Sequence, residues 1–280
     1  MNSPFKIIPE HGRAIVGNFH PADGFQPKPL IIFCHGYKGF KDWGAWHLMA
    51  TAFTNAGFDF VRFNFSHNGS TAEQHIDFPD LEAFSNNNYS LEMQDLQTVI
   101  DHFCSEANEN FEKRPSKLYL LGHSRGGGIV SLTAGQDKRI DKVATLASVS
   151  DYRARFLEGT EHFQQWKEKG ITYVENSRTG QMLPHKFQFY TDFITNEAKL
   201  TIRDWVKQIE IPHLIIHGTA DPTVDLKEGR AIHSWNPASE LSVIEDADHV
   251  FGMQHPWNSD TLPPAMKLAV DKLIEFYSAD

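Results

Sequence analysis

The sequence predicts an α/β fold built on a mostly parallel sheet, and three observations support this. Short apolar runs alternate with longer segments of helical periodicity along most of the chain. Runs such as residues 30–34 and 118–121 are apolar almost throughout, which is typical of strands covered on both faces. Glycine-containing polar segments follow several of these runs directly, where open α/β sheets place their chemistry.

The predicted elements follow one another in a regular order along the chain. Period-two or continuous apolar patterns predict the strands, and apolar positions three or four residues apart predict the helices. Strands are expected at residues 6–9, 14–19, 30–34, 58–65, 118–121, 143–149, 213–217 and 241–244. Helices are expected at residues 46–56, 91–107, 126–134 and 264–277.

Regularity fails between residues 151 and 208, where the chain is charged and rich in aromatic residues. We interpret this stretch as a cap inserted between two strands. Residues 1–150 and 209–280 then form the α/β core. The alternative is an ordinary pair of surface helices with a hairpin.

Composition limits the classes of function. The 280 residues suit one α/β domain with an insertion, and 40% hydrophobic with 22% charged residues are ordinary globular values. A formal net charge of −10 argues against nucleic acid or an anionic membrane as partner. The apolar runs are too short to span a bilayer, and the first residues lack the apolar stretch of a secretory signal. We therefore expect a cytoplasmic protein, and the presence of only two cysteines argues against a disulfide framework.

A nucleophile is predicted at Ser124. Residues 122–126 read Gly-His-Ser-Arg-Gly and match G-x-S-x-G. An apolar strand leads directly into the motif and a small-residue helix start leads out, which is the context that this motif requires. Such a turn holds the serine in a strained backbone conformation that lifts its hydroxyl above the sheet.

A serine hydroxyl needs a base to remove its proton. His249 follows the last predicted strand and is our choice among 15 histidines. The rivals are His233, on the helix before that strand, and His255, further from the strand end. The orienting acid should follow the preceding strand, which selects Asp221. Its rival, Asp225, lies where a helix would begin and so suits an N-cap.

The oxyanion of a tetrahedral intermediate is stabilised by two hydrogen-bond donors that point at it. We expect the backbone N–H of Arg125, the residue after the nucleophile, and that of Tyr37, in the glycine-containing loop after residues 30–34. The ring of Trp43, further along that loop, either lines a substrate pocket or packs on a neighbouring helix. The side chain of Arg125 either attracts an acidic substrate or, as we favour, points into solvent or forms a structural salt bridge.

With these motifs the chain resembles the α/β-hydrolase family, particularly small esterases and acylaminoacyl-peptidase-like hydrolases. The resemblance covers nearly the whole length and rests on residues 35–36, 122–126, 218–221 and 248–249. It implies an eight-stranded, mostly parallel sheet, hydrolysis through an acyl-enzyme, and no cofactor. Residues 63–70 resemble the F-D-x-R-G-H-G loop of the family but depart from it at several positions.

The predicted function is that of a serine hydrolase acting on a carboxylic ester or related acyl bond of a small molecule. A peptidase, aminoacyl hydrolase or thioesterase would use the same three residues. A catalytically silent binding protein that kept the fold is the alternative from another class. No H-E-x-x-H or C-x-x-C metal spacing and no P-loop or dinucleotide-binding glycine pattern occurs. An exposed aromatic cap is compatible with a homodimer.

Overall fold

A sheet of eight strands organises the computed structural model, which describes residues 2–25, 27–105 and 114–279. The strands run in the order β1-β2-β4-β3-β5-β6-β9-β10. The pairs β1–β2 and β2–β4 are antiparallel and all the others in this sheet are parallel. A separate antiparallel hairpin joins β7 and β8. The strands are β1 (Ser3–Ile7), β2 (Ile15–His20), β3 (Leu30–Cys34), β4 (Asp59–Asn64), β5 (Leu118–His123), β6 (Lys142–Leu146), β7 (Ile171–Asn176), β8 (Gln181–Lys186), β9 (His213–Gly218) and β10 (Glu240–Ile244).

Helices connect the strands and cover both faces of the sheet. They are α1 (Trp46–Asn55), α2 (Leu81–Asn86), α3 (Tyr89–Cys104), α4 (Arg125–Gln136), α5 (Glu161–Lys169), α6 (Gln188–Thr195), α7 (Glu197–Leu200), α8 (Ile202–Val206), α9 (Leu226–Trp235) and α10 (Pro264–Ser278), with a 3₁₀ turn at Arg153–Phe156. Across the described part of the chain, no helix has both the length and the apolar composition needed to cross a bilayer.

The alternation of side chains along each strand divides the core in two. On β3, Leu30 and Ile32 belong to the hydrophobic cluster under α3 and α4, whereas Ile31 and Phe33 belong to the cluster under α1 and α10. All five residues of β3 are buried. Because both faces are covered, the strand is apolar at every position, and the prediction of an eight-stranded, mostly parallel sheet is confirmed.

Some element boundaries differ from the expectation. The strand predicted at residues 143–149 ends at Leu146, since the following residues turn back toward the nucleophile loop. Helix α3 begins at Tyr89 rather than residue 91, because the Asn88 side chain accepts from the backbone N–H of Leu91 and caps it. The predicted end of this helix, at residue 107, lies outside the described residues.

The irregular stretch at residues 151–208 contains α5, the β7–β8 hairpin and α6 to α8. The hairpin contacts α2 through an ion pair between Lys186 and Glu82, and Gln181 donates a hydrogen bond to the carbonyl of Phe78, just before α2. The last helix of the stretch, α8, packs on α4. The division of the chain into a core and a cap stays a prediction.

Close packing of α4 against β3 requires glycine at residue 126. A Cβ there would lie 2.4 Å from the carbonyl oxygen of Cys34 and 2.5 Å from that of His35. Both obstacles are backbone atoms, which cannot rotate away. The helix therefore reaches its position over the sheet only with a residue that has no side chain.

We predict that Gly126→Ala lowers the free energy of unfolding by ~3 kcal/mol, because this added methyl group overpacks a buried contact. The matched control is Gly57→Ala, where φ is +91° but no heavy atom lies within 4 Å of an added Cβ. That control should lose only ~1 kcal/mol, from backbone strain. Urea unfolding of both variants measures the difference, and a loss at Gly126 no larger than at Gly57 would contradict the steric argument.

Candidate active site

Ser124 forms the sharp turn between β5 and α4. Its backbone has φ +55° and ψ −118°, so the strained conformation expected from the motif is present. The Ser124 N–H donates to the carbonyl of Leu146 at 2.9 Å, which ties the turn to the neighbouring strand. A Cβ on Gly122 would lie 2.3 Å from the carbonyl oxygen of Gly126. The two motif glycines thus let the chain fold back on itself while the serine side chain stands clear.

The structure brings His249 and Asp221 to this serine in one hydrogen-bonded series. Nε2 of His249 lies 3.0 Å from Oγ of Ser124, and Nδ1 lies 2.8 Å from Oδ2 of Asp221. Because a carboxylate only accepts, Nδ1 carries the proton and donates it to Asp221. Nε2 is then free to accept from the Ser124 hydroxyl. This is the arrangement in which an imidazole can act as a general base on a serine.

Asp221 is held as a charged carboxylate. Its side chain is fully buried, and its Oδ1 accepts from the backbone N–H groups of Thr223 and Val224, each at 2.8 Å. Burial alone would raise the pKa of Asp221, but hydrogen bonds from His217, His249 and Val224 outweigh it and hold the pKa well below its usual range. The carboxylate is therefore ionised at neutral pH.

Two further histidines support these residues, and the sequence patterns did not single them out. His217 is fully buried at the end of β9, donates from Nε2 to the carbonyl of Val224 at 2.7 Å, and lies 3.5 Å from Oδ2 of Asp221. His123 donates from Nε2 to the backbone carbonyl of His249 at 2.8 Å. Burial lowers the pKa of His123 to about 3, so it acts as a neutral donor. The G-x-S-x-G pattern leaves its second position open, so it carries no signal for His123.

The rival residues have other partners. His233 on α9 contacts Ser239 Oγ at 3.0 Å, and Nδ1 of His255 accepts from the backbone N–H of Gly44 at 3.0 Å. The Asp225 side chain accepts from the N–H of Lys227 at 2.8 Å, which confirms the N-cap interpretation. None of these three contacts is part of the series at Ser124.

Tyr37 and Arg125, the two expected oxyanion donors, both adjoin Ser124. Arg125 is the first residue of α4, so its backbone N–H has no acceptor inside the helix. The loop that carries Tyr37 packs directly on the nucleophile, since a Cβ on Gly36 would lie 2.9 Å from the Cβ of Ser124. Both residues line the cavity beside the serine. Their service as donors to an oxyanion stays a prediction.

A cavity of about 330 Å³ opens beside Ser124. Six of its lining residues are Tyr, Phe or Trp, and two arginines and two histidines are the basic groups in it. The side chain of Arg125 forms a buried ion pair with Glu92, with 3.0 Å between Nη1 and Oε1. This confirms the structural salt bridge favoured from the sequence. The aromatic residues are Tyr37, Tyr89, Tyr152, Phe156, Trp166 and Phe189.

Trp43 is not among the described residues that line this cavity. Its ring lies 6.2 Å from that of Trp46 on α1 and stacks on His255 at the same distance. The packing alternative therefore describes its position. A local sequence pattern cannot tell the two alternatives apart, because both put an aromatic ring in the loop after β3.

The loop at residues 63–70 is braced despite its departures from the family pattern. Oδ1 of Asn64 accepts from the backbone N–H of Lys41 at 2.6 Å, and its Nδ2 donates to Oγ of Ser70 at 2.8 Å. The N–H of Ser66 donates to the buried carboxylate of Asp95 at 2.7 Å. An amide at residue 64 thus links this loop to the one that continues from Tyr37.

The fold is that of an α/β hydrolase, as the strand order and the turn at Ser124 show. Comparison with known proteins gives the same fold. A family model described as serine aminopeptidase, S33, matches residues 25–193, more than half of the chain. The chain belongs to this family. The matched residues include Ser124 and end before Asp221 and His249.

Relatives and solved structures extend the likeness over nearly the whole chain. Two proteins of Escherichia coli, each described as an uncharacterized 31.7 kDa protein in the traX-finO intergenic region, are 23% identical to this chain over 259 residues, with 82% of this chain and 85% of theirs covered.

Est1E from Butyrivibrio proteoclasticus superimposes on this chain with a TM-score of 0.72 at 17% identity, covering 98% of this chain and 97% of its own. The esterase domain of a Rhodothermus marinus protein gives 0.66 at 19%, with 99% of each chain covered. Mouse alpha/beta hydrolase domain-containing protein 10 gives 0.70 at 14%, covering 99% of this chain and all of its own. At these identities the structural likeness establishes the fold.

We predict that Asp221→Asn lowers kcat for a reactive ester about 10³- to 10⁴-fold, because an amide in place of the carboxylate favours the wrong tautomer of His249. The matched control is Asp225→Asn, since asparagine caps a helix about as well as aspartate and the site is untouched. Steady-state kinetics on both variants, with circular dichroism to verify folding, make the comparison. Equal activity of the two variants would exclude Asp221 as the orienting acid.

Proposed function

We propose that the protein is a serine hydrolase that cleaves a carboxylic ester through an acyl-enzyme on Ser124. The single observation that carries the proposal is the hydrogen-bonded series from Ser124 through His249 to Asp221, at 3.0 and 2.8 Å, beside a cavity large enough for a small acyl group. Esterases among the structural neighbours are consistent with the reaction class.

The reaction begins when Ser124 Oγ attacks the ester carbonyl and His249 Nε2 takes the hydroxyl proton. Backbone N–H groups of Tyr37 and Arg125 donate to the oxyanion of the tetrahedral intermediate, where the N-terminus of α4 adds its positive potential. His249 then protonates the leaving alcohol. The same imidazole activates the water that releases the acid from Ser124.

Asp221 and its neighbours keep the imidazole in place during these steps. The charged carboxylate holds the proton on Nδ1 of His249 and stabilises the imidazolium that forms after proton transfer. His217 and the backbone donors of Thr223 and Val224 hold the carboxylate in turn. His123 fixes the backbone of the loop that carries the base. Each of these residues acts through another, so their role is positioning.

An ester suits the cavity better than a free peptide N-terminus, although the family is described as serine aminopeptidase. An aminopeptidase must bind the α-ammonium group of its substrate, for which a carboxylate is the natural partner. The described residues that line the cavity include no aspartate or glutamate and two arginines, Arg125 and Arg155. Both arginines are paired with carboxylates outside this lining, Glu92 and Glu228, so the described lining offers an ammonium group no carboxylate partner of its own. A thioester would pass through the same acyl-enzyme and is the second substrate class to compare.

We predict that a fluorophosphonate probe adds once to the wild-type protein and not to Ser124→Ala, as judged by intact mass. A reactive serine next to a base is required for this phosphonylation. Ser234→Ala is the matched control, because Ser234 is exposed on α9 and donates only to a local backbone carbonyl. It should be labelled as fully as the wild type.

The same proteins should then be compared on an ester, the matching amide and the matching thioester. Turnover of the ester that disappears in Ser124→Ala supports the proposal. An unlabelled wild-type protein with no turnover would instead favour a binding protein that kept the fold.

A further inference from the structure

The cavity lies on the acyl side of the nucleophile. Ser124 and both expected oxyanion donors, Tyr37 and Arg125, line it, whereas His249 is not among its described lining residues. In the proposed reaction His249 protonates the leaving group, so the leaving group must lie next to the imidazole. The part of the substrate that stays on Ser124 therefore occupies this cavity.

The wall of the cavity is suited to an aromatic ring. Six of its lining residues are Tyr, Phe or Trp. Their rings already pack on one another by stacking and edge contacts: Tyr89 stacks on Tyr152 at 3.8 Å, and Phe156 meets Phe189 edge-on at 5.3 Å. A ring with its own quadrupole gains from such surroundings beyond the area that it buries. The volume of about 330 Å³ is at the small end for ligand pockets, which favours a single ring.

A buried guanidinium provides the polar contact in this wall. The Arg125 side chain is 12% exposed and lies over the rings of Tyr37, Tyr89 and Phe189, at 4.4, 5.2 and 5.2 Å. Burial would lower the pKa of Arg125, but the Glu92 carboxylate raises it above its usual range, so the group stays charged. Within the described residues its side chain has one hydrogen-bond partner, Glu92. A guanidinium has five N–H donors, so most of them remain available at the cavity surface.

The charge balance of this pair selects a neutral ligand. Glu92 already compensates the Arg125 charge, and its carboxylate is itself buried and accepts a second hydrogen bond from Asn87 at 2.7 Å. A second carboxylate from a substrate would place a net negative charge beside this buried pair, at a desolvation cost. A neutral oxygen such as an ether or hydroxyl would accept the free N–H groups without that cost.

We propose that the cavity binds a single-ring aromatic acyl group that carries a neutral acceptor oxygen, and that the Arg125 side chain determines this preference. The proposal rests on the proposed function, since it names the acyl group that Ser124 would carry. The backbone N–H of Arg125 serves the oxyanion in that reaction, and its side chain binds the far end of the same acyl group.

The test uses ethyl esters, so that the leaving group is small and identical throughout. The acyl groups are propanoyl, 3-cyclohexylpropanoyl, 3-phenylpropanoyl, its 3- and 4-methoxy derivatives, and its 4-carboxy derivative. Two methylene groups insulate the carbonyl from the ring, so substituents change binding and not intrinsic reactivity. We expect kcat/KM for phenyl to exceed that for cyclohexyl about threefold to tenfold. One of the two methoxy esters should have a kcat/KM about tenfold above that of the unsubstituted 3-phenylpropanoyl ester. The 4-carboxy ester should have a lower kcat/KM than the unsubstituted ester.

The variant that isolates the side chain is the double substitution Arg125→Met with Glu92→Gln, which removes both buried charges together. In this variant, kcat/KM for the methoxy esters should no longer exceed that for the unsubstituted phenyl ester, whereas the preference for phenyl over cyclohexyl should remain. Each preference is measured as the ratio of two kcat/KM values on the same protein. The matched control is Arg155→Met with Glu228→Gln, the other arginine of the wall and its ion-pair partner. That control should keep the methoxy ratio.

The outcomes separate the two proposals. If ethyl propanoate is hydrolysed but cyclohexyl equals or exceeds phenyl, or the carboxylate is preferred over methoxy, the acyl assignment is wrong and the serine hydrolase stands. If the wild type hydrolyses no ester and takes no fluorophosphonate, the proposed function itself fails. The wild-type ratios decide the acyl assignment even if the double variant does not fold. A methoxy advantage that survives in a folded double variant would exclude Arg125 as its cause.

Discussion

The arrangement of the site depends on one steric constraint, the contact between the start of α4 and the end of β3. Backbone carbonyl oxygens of Cys34 and His35 occupy the space that a side chain at residue 126 would need. Glycine lets the helix descend onto the sheet, and the turn before it is then forced into the positive φ seen at Ser124. The strain is local and is held by the surrounding buried sheet. The serine hydroxyl and the first N–H groups of α4 point to the same place as a result.

Parallel strands explain how residues distant in sequence meet at this turn. The C-terminal ends of β5, β9 and β10 lie at one edge of the sheet, and the loops that leave them carry Ser124, Asp221 and His249. Hydrogen bonds then connect neighbouring loops. His123 reaches the backbone of His249, and His217 lies under Asp221. The neutral ring of His123 and the ionised carboxylate of Asp221 make these contacts favourable, and together they hold the His249 imidazole in one orientation.

The stretch between β6 and β9 supplies part of the cavity wall. Phe156, Trp166, His185 and Phe189 all come from it and line the cavity. It also meets the nucleophile region directly, because the hydroxyl of Tyr37 contacts Nε2 of His185 at 2.7 Å. Whether or not this stretch is a separable cap, its side chains complete a wall that the sheet and its loops begin. Residues of this stretch and residues of the α/β core, such as Arg125, therefore form the cavity wall together.

The sequence by itself determined the fold class and the candidate residues Ser124, Asp221 and His249, because each follows a strand whose apolar pattern is local and readable. Only the tertiary structure showed that Trp43 packs against α1, that His123 and His217 hold the loops, and that Arg125, paired with the buried Glu92, lines the cavity. These contacts join residues far apart in the chain and follow no period. They depend on how layers pack in three dimensions, which a pattern of neighbouring residues does not encode.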